Sequence, residues 1–308
     1  MSALSGQLDR YKLSVRVFPS RGGPVANAVY GDARPLELAA CRHILLLVHG
    51  FNNTAEQADA AYNAMIGNLT PDLLQRAGDR PDAVVCLQWP GDAAVGPFQV
   101  ADAIGYPTDI ERAKRSAERI ADYLRQLCAA HGPNFRISLI AHSLGCRLVL
   151  EALKRSAPGG LQMQVAALMA PAVPVRLVDA SLLSPASLAG TDALARSMLK
   201  YHSCFDAVLG VAFTAGQALA FAMGIEPEAY GEAVGFFGDP VSFGTDGGNT
   251  YDTHGEYWGD PKLARYIVAA LDATRRMLPP AVPTPARPLP SVGSNVGRAL
   301  LPPRSIGA

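Results

Sequence analysis

Apolar runs recur along the chain, and most are followed by a break and then by a helical pattern. His43-Ile44-Leu45-Leu46-Leu47-Val48, Ala83 to Trp89 and Leu161 to Ala170 are largely apolar, and Arg136 to Ala141 carries Ile137, Leu139 and Ile140. Runs of this kind predict strands covered on both faces, as in parallel sheets packed between helices. Ala55 to Leu69 predicts a helix through the weak stripe Ala58, Ala61, Met65 and Leu69. The strongest helical pattern spans Thr108 to Ala130, with Ile110, Ala113, Ala117, Ile120, Leu124, Leu127 and Cys128 on one side. Thr108 or Asp109 is its expected cap and Gly132-Pro133 its expected stop. Cys146 to Leu153 and Pro261 to Met277 complete the helices, the last with Leu263, Tyr266, Ile267, Ala270 and Leu271 facing inward. Tyr11 to Phe18 alternates as a strand does. Serial βα units predict an α/β fold, a doubly wound, mostly parallel sheet with helices on both faces.

Other stretches are less regular. Residues 21–35 and 92–106 read as loops, and 171–195 as an excursion with short helical pieces near Arg176–Leu183 and Ser187–Ala195. Ser197 to His202 is a weaker strand. Asp206 to Gly224 is apolar and rich in Ala and Gly, but it is short, holds Thr214 and Gln217, and is interrupted by glycines. That argues for a buried or pocket-lining helix and against a membrane span. Residues 231–256 read as irregular. Eight prolines follow Leu278, so 278–308 reads as a proline-rich disordered tail. One domain, 1–277, is expected, with pocket-lining insertions near 171–198 and 208–245.

Charge narrows the function classes. Lys and Arg number 27 and Asp and Glu 27, so there is no basic excess of the kind phosphate binding needs, and a nucleic-acid partner is not expected. Five widely spaced cysteines, with no C-x-x-C pair, suggest neither a disulfide framework nor a thiolate metal site. The N-terminus shows no Sec-type signal peptide, and the cytoplasm is the expected compartment.

In a parallel sheet, chemistry gathers in the loops at the carboxyl ends of the strands. One such loop reads Ala141-His142-Ser143-Leu144-Gly145. A serine held between a buried strand and a buried helix, with small flanking residues, is the pattern of a nucleophile elbow. Here alanine replaces the usual first glycine. An alcohol needs an adjacent base, and histidine suits the task. Among six histidines, His43 begins a strand at its wrong end and His131 ends a helix. His142 should diverge from the serine, His49 suits a hydrogen bond across its loop, and His202 reads as a strand residue. His254, in a loop before the last helix, is the candidate base. Asp206 lies between nucleophile and base in chain order and is the candidate acid, with helix capping as its competing role. Asp179, Asp239, Asp246 and Asp252 compete for the acid position. Backbone N–H groups of Leu144 and Phe51 are candidate oxyanion donors, with Gly50 allowing close approach and His49, Asn52, Asn53 and Gly145 in support.

These features together resemble the α/β-hydrolase superfamily, and more narrowly the bacterial alpha/beta hydrolases of unknown function whose first motif reads VHGFNNT. Val48-His49-Gly50-Phe51-Asn52-Asn53-Thr54 supplies that motif in full. Trp89-Pro90, Tyr106-x-x-Asp109-x-x-x-Ala113 and the elbow AHSLG are similar too. Ser203-x-x-Asp206 resembles the turn that provides the acid, and Thr253-His254-Gly255-Glu256-Tyr257 the motif of the base. Where the group tends to have Ala-Pro-Asp, this chain has Ala170-Pro171-Ala172. The resemblance spans roughly 43–275. It implies an alpha/beta-hydrolase fold and a serine hydrolase acting on a small-molecule or lipid-like ester with an apolar acyl group. No metal or organic cofactor is expected. Two rival readings are an inactive interaction protein on the same fold and a lipase or effector at a membrane surface.

Overall fold

The computed structural model describes residues 9–16, 30–31, 38, 41–75, 80–92, 99–132, 134–157, 161, 163–182, 187–249 and 253–276. The strands are β1 (Asp9–Ser14), β2 (Tyr30–Gly31), β3 (His43–Val48), β4 (Ala83–Gln88), β5 (Arg136–His142), β6 (Met163–Met169), β7 (Ala195–His202) and β8 (Thr245–Asn249). Among the described residues they form one sheet in the order β2-β1-β4-β3-β5-β6-β7-β8, parallel throughout except for the β1–β2 pair. Every residue of β3, β4 and β6 is buried, as two covered faces require.

The helices are α1 (Ala55–Leu74), α2 (Gln99–His131), α3 (Leu144–Ser156), α4 (Val175–Val178), α5 (Phe213–Ala222), α6 (Val234–Phe237) and α7 (Pro261–Arg276). Helix α1 packs on α7, while α2 packs on α3 and α5, so two helix layers flank the sheet. This is the alpha/beta-hydrolase arrangement expected from the βα repeats. Helix α1 opens with a reciprocal cap: Thr54 accepts from the Gln57 N–H, and Gln57 accepts from the Thr54 N–H. Gly132, at φ +78°, ends α2 in the left-handed conformation that favours glycine.

Several boundaries differ from expectation. Helix α2 starts at Gln99 and runs through Pro107, so neither Thr108 nor Asp109 caps it. A proline inside a helix forfeits a hydrogen bond. Here the turn is held by Tyr106, which is buried with its ring edge-on to Phe51 (5.5 Å) and Phe213 (6.1 Å). The stretch 231–256 is not wholly irregular. It contains α6 and the edge strand β8, whose sequence TDGGN has no apolar alternation. Gly247 is required there because a Cβ would collide with the Tyr201 ring. Of the helix expected over 187–195, only a 3-10 turn at Asp192–Leu194 forms. The apolar stretch after Asp206 is a π-helical turn, Val208–Ala212, running into α5. It is buried on one side only: Leu209, Phe213, Gly216, Gln217 and Ala220 face inward, while Val208, Val211, Phe221 and Met223 are exposed. Tyr266 also faces solvent, not the core. The proline-rich segment 278–308 lies outside the described residues. No helix among the described residues is long and apolar enough to cross a membrane.

Candidate active site

Ser143 sits at the turn between β5 and α3, with φ +51° and ψ −126°. A non-glycine residue rarely adopts this backbone, which costs on the order of 1–3 kcal/mol and needs the surroundings to enforce it. They do so from three sides. The Ser143 N–H donates to Met169 O (2.9 Å), and Ser143 O accepts from the N–H groups of Cys146 (3.0 Å) and Ala172 (3.2 Å). Gly145 lets the first turn of α3 lie against the end of β3: a Cβ there would strike His49 O and stand 3.0 Å from Val48 O. Gly50 lies against the serine itself, since a Cβ on it would stand 2.8 Å from the Ser143 Cβ.

The candidate base arrives from a distant part of the sequence. His254 Nε2 is 2.8 Å from Ser143 Oγ, and His254 Nδ1 is 2.7 Å from Asp206 Oδ2. A carboxylate only accepts, so Nδ1 carries the proton and Nε2 presents its lone pair to the serine hydroxyl. Asp206 is buried in the turn between β7 and the π-helical segment. Its second oxygen accepts from the Leu209 N–H (3.0 Å), so one carboxylate serves the histidine and caps a helical turn, one oxygen each. Helix capping and contact with the histidine, which compete in the sequence, thus fall on separate oxygens. Two competing acids are engaged elsewhere: Asp179 accepts from the Ser181 N–H and hydroxyl, and Asp246 pairs with His202 at 3.0 Å. Asp252 lies outside the described residues.

The loop after β3 stands opposite the base. His49 is buried; its Nδ1 donates to Gly50 O (2.8 Å) and its Nε2 accepts from the Trp89 N–H (3.3 Å). Its ring stacks on Trp89 at 5.3 Å, and burial pushes its pKa down to about 3, so it is neutral. Phe51 follows Gly50, and the Asn53 amide donates to Phe51 O (2.8 Å). Asn52 adopts φ +55°. Leu144 is the first residue of α3, where backbone N–H groups have no acceptor within the helix. Ser143, His254 and Asp206 are thus in hydrogen-bonding contact, with Gly50 packed on the serine and Phe51 and Leu144 each adjoining a residue of that contact. Among the described residues, no three His, Cys, Asp or Glu side chains converge as metal ligands would.

Two residues at the site had no role assigned from the sequence, His142 having been set aside as a base. His142 does diverge from the serine, but its Nε2 lies 2.7 Å from the His254 carbonyl, with ring centroids 4.8 Å apart. Burial, then the neighbouring His254, lowers its pKa to about 3. A second positive charge at that ring distance would cost about 3 kcal/mol at an effective dielectric of about 20. Arg16, buried just beyond β1, donates to Asn53 O (2.7 Å) and pairs with Asp92 (2.7 Å), bracing the loop after β3.

A family model described as "Alpha/beta hydrolase of unknown function (DUF900)" matches residues 33–181, which hold the VHGFNNT loop and the elbow. No curated protein matches. Solved structures with a similar arrangement include an esterase from Pyrobaculum calidifontis, at 14% identity and TM-score 0.38 over 77% of this chain and 75% of that one. A serine hydrolase without a lid from Xanthomonas campestris is 14% identical, at TM-score 0.35 over 79% and 85%. An extracellular alpha/beta-hydrolase from a Paenibacillus species is 13% identical, at TM-score 0.40 over 74% and 98%. In its first motif and its elbow, the segment 33–181 is similar to the alpha/beta hydrolases of unknown function.

Proposed function

We propose that the protein is a serine hydrolase that cleaves carboxylic esters through an acyl-enzyme. The observation that carries this reading is the continuous contact from Ser143 Oγ to His254 to Asp206, at 2.8 and 2.7 Å. Ser143 Oγ attacks the ester carbonyl carbon while its proton passes to His254 Nε2. The Asp206 carboxylate holds the other ring proton and stabilises the imidazolium. Backbone N–H groups of Phe51 and Leu144 receive the charge that develops on the carbonyl oxygen. Collapse expels the alcohol, which takes the proton from His254. Water then attacks the acyl-enzyme, giving its proton to the same nitrogen, and Ser143 recovers its hydroxyl as the acid leaves. The scheme calls for no metal or organic cofactor. The aromatic series Phe51, Tyr106 and Phe213 starts beside the oxyanion loop and supports an apolar acyl group.

A fluorophosphonate probe tests the scheme. Covalent labelling of the wild-type chain that disappears in Ser143→Ala is expected. Folded protein that takes no label would sink it in favour of an inactive interaction protein. One further observation favours a membrane-surface version. Residues 207–225 contain no charged side chain, and Val211, Phe221 and Met223 on the outer side of this segment are exposed. Liposome binding that is abolished by Phe221→Asp would support that version, and no sedimentation with liposomes would remove it.

A further inference from the structure

His142 takes no part in the reaction scheme, yet it is the side chain that touches both halves of the site. It is the last residue of β5, so period-two alternation turns it away from Ser143. That direction brings its ring to the loop holding His254, whose carbonyl receives the His142 Nε2–H at 2.7 Å. A carbonyl cannot donate, so His142 carries a proton on Nε2, and burial keeps the ring neutral. Its Nδ1 is buried without a hydrogen-bond partner and faces the loop after β3, since a Cβ on Gly50 would stand 2.8 Å from it. Tyr257 and Trp258 close the remaining side, each with its ring centroid 6.0 Å from the imidazole. His254 itself lies between β8 and the 3-10 turn Glu256–Gly259, outside any strand or helix.

From this geometry we infer that His142 is a positioning residue: it clamps the main chain of His254 and thereby sets the reach of the imidazole to Ser143. The inference rests on the serine-hydrolase reading for its effect on rate, but the clamp itself does not need it. A base carried on irregular backbone has little of its own structure to hold it to within the few tenths of an ångström that proton transfer demands. The His142 bond ties that backbone to β5, the same strand that delivers the nucleophile. Both partners of the proton transfer therefore share one rigid reference. The neutral state of His142 matters as well, because a donor that became cationic would oppose the imidazolium formed on His254.

The test compares His142→Gln, whose amide N–H reaches about as far as Nε2, with His142→Asn, whose shorter side chain does not. Both are polar and no larger than imidazole. In the full chain, Gln is expected to keep the fluorophosphonate labelling rate of Ser143 within about 5-fold, and Asn to lower it by roughly 30- to 100-fold. With an ester substrate, the Asn loss should fall on kcat, with KM nearly unchanged. The far-downfield proton resonance of His254 Nδ1–H should persist in Gln and broaden or vanish in Asn. Equal rates and equal resonances in the two variants would overturn the inference, even if both unfold at a lower temperature, and would leave His142 as a brace of the fold alone. If the wild-type chain takes no label, the hydrolase reading fails separately. The resonance then decides: retained in Gln and lost in Asn supports the clamp, and unchanged in both refutes it.

Discussion

The proposed nucleophile Ser143 and the proposed base His254 stand 2.8 Å apart, but the backbones that deliver them have little in common. Ser143 is the hinge of a strand–helix unit at the centre of the sheet, flanked by β3 and β6 and enforced by glycines that leave no spare volume. His254 and Asp206 come from the β7–β8 edge, where turns, a π-helical segment and a glycine-bearing edge strand replace continuous regular structure. The difference teaches a division of labour. Strain is stored where packing is dense enough to hold it, and the imidazole and carboxylate of the proposed scheme sit on chain that is positioned by discrete hydrogen bonds.

The largest effects should separate the two sides by role. Ser143→Ala is expected to lower ester turnover by roughly 10⁶-fold, and Asp206→Asn by about 10⁴-fold, measured as kcat/KM on one ester. An Asp206→Asn variant with undiminished turnover would detach the acid from its side of the comparison. Acid comes next. His43, His49 and His142 are each held by burial far below the ordinary 6.5, at about 3. Between those values the unfolded chain takes up protons that the folded chain refuses. Stability is therefore full above about pH 6.5 and falls toward pH 3, by up to about 1.4 kcal/mol per pH unit for each histidine. Urea midpoints that stay constant from pH 7 to 4.5 would contradict this.

Glycine substitutions make the comparison sharper. Gly145→Ala drives a methyl group into the end of β3 and should cost roughly 2–3 kcal/mol in chemical denaturation. Gly255→Ala, beside the base, meets nothing within 4 Å and has an ordinary φ of −98°, so a change within about 0.5 kcal/mol is expected. Equal costs at both positions would erase the contrast. A small effect is also expected at Asp246, whose side chain is 59% exposed in its pair with His202. Asp246→Asn should move stability by less than about 1 kcal/mol and leave probe labelling unchanged.

The two sides also differed in how well they could be read beforehand. Buried parallel strands announce themselves through unbroken apolar runs, so β3, β4 and β6 were plain, and the serine turn with them. Asp206 and His254 were reachable through chain order and motif, and so was their pairing, which the structure places at 2.7 Å. Strand β8 left no trace, because an edge strand of Thr, Asp and Gly is made by its neighbour and not by its own side chains. The start of α2 was misplaced because Pro107 is a strong local stop signal, overridden here by the packing of Tyr106. His142 and Arg16 escaped for a third reason. Their partners lie 112 residues away in the first case and 37 and 76 in the second, and no local pattern encodes bonds at such separations.

The divided carboxylate of Asp206 also governs how the rim of the molecule can vary. One oxygen steadies the imidazole, and the other fastens the first turn of the charge-free segment. Composition can drift on the exposed face beyond Gly210, at Val211, Phe221 and Met223, without touching the proposed proton path. Between Asp206 and Leu209 the chain has no such freedom: one inserted residue would pull the acid away from its base. Engineering of this rim therefore has room on that outer face and none between Asp206 and Gly210, whose N–H donates to Asp206 O at 2.9 Å.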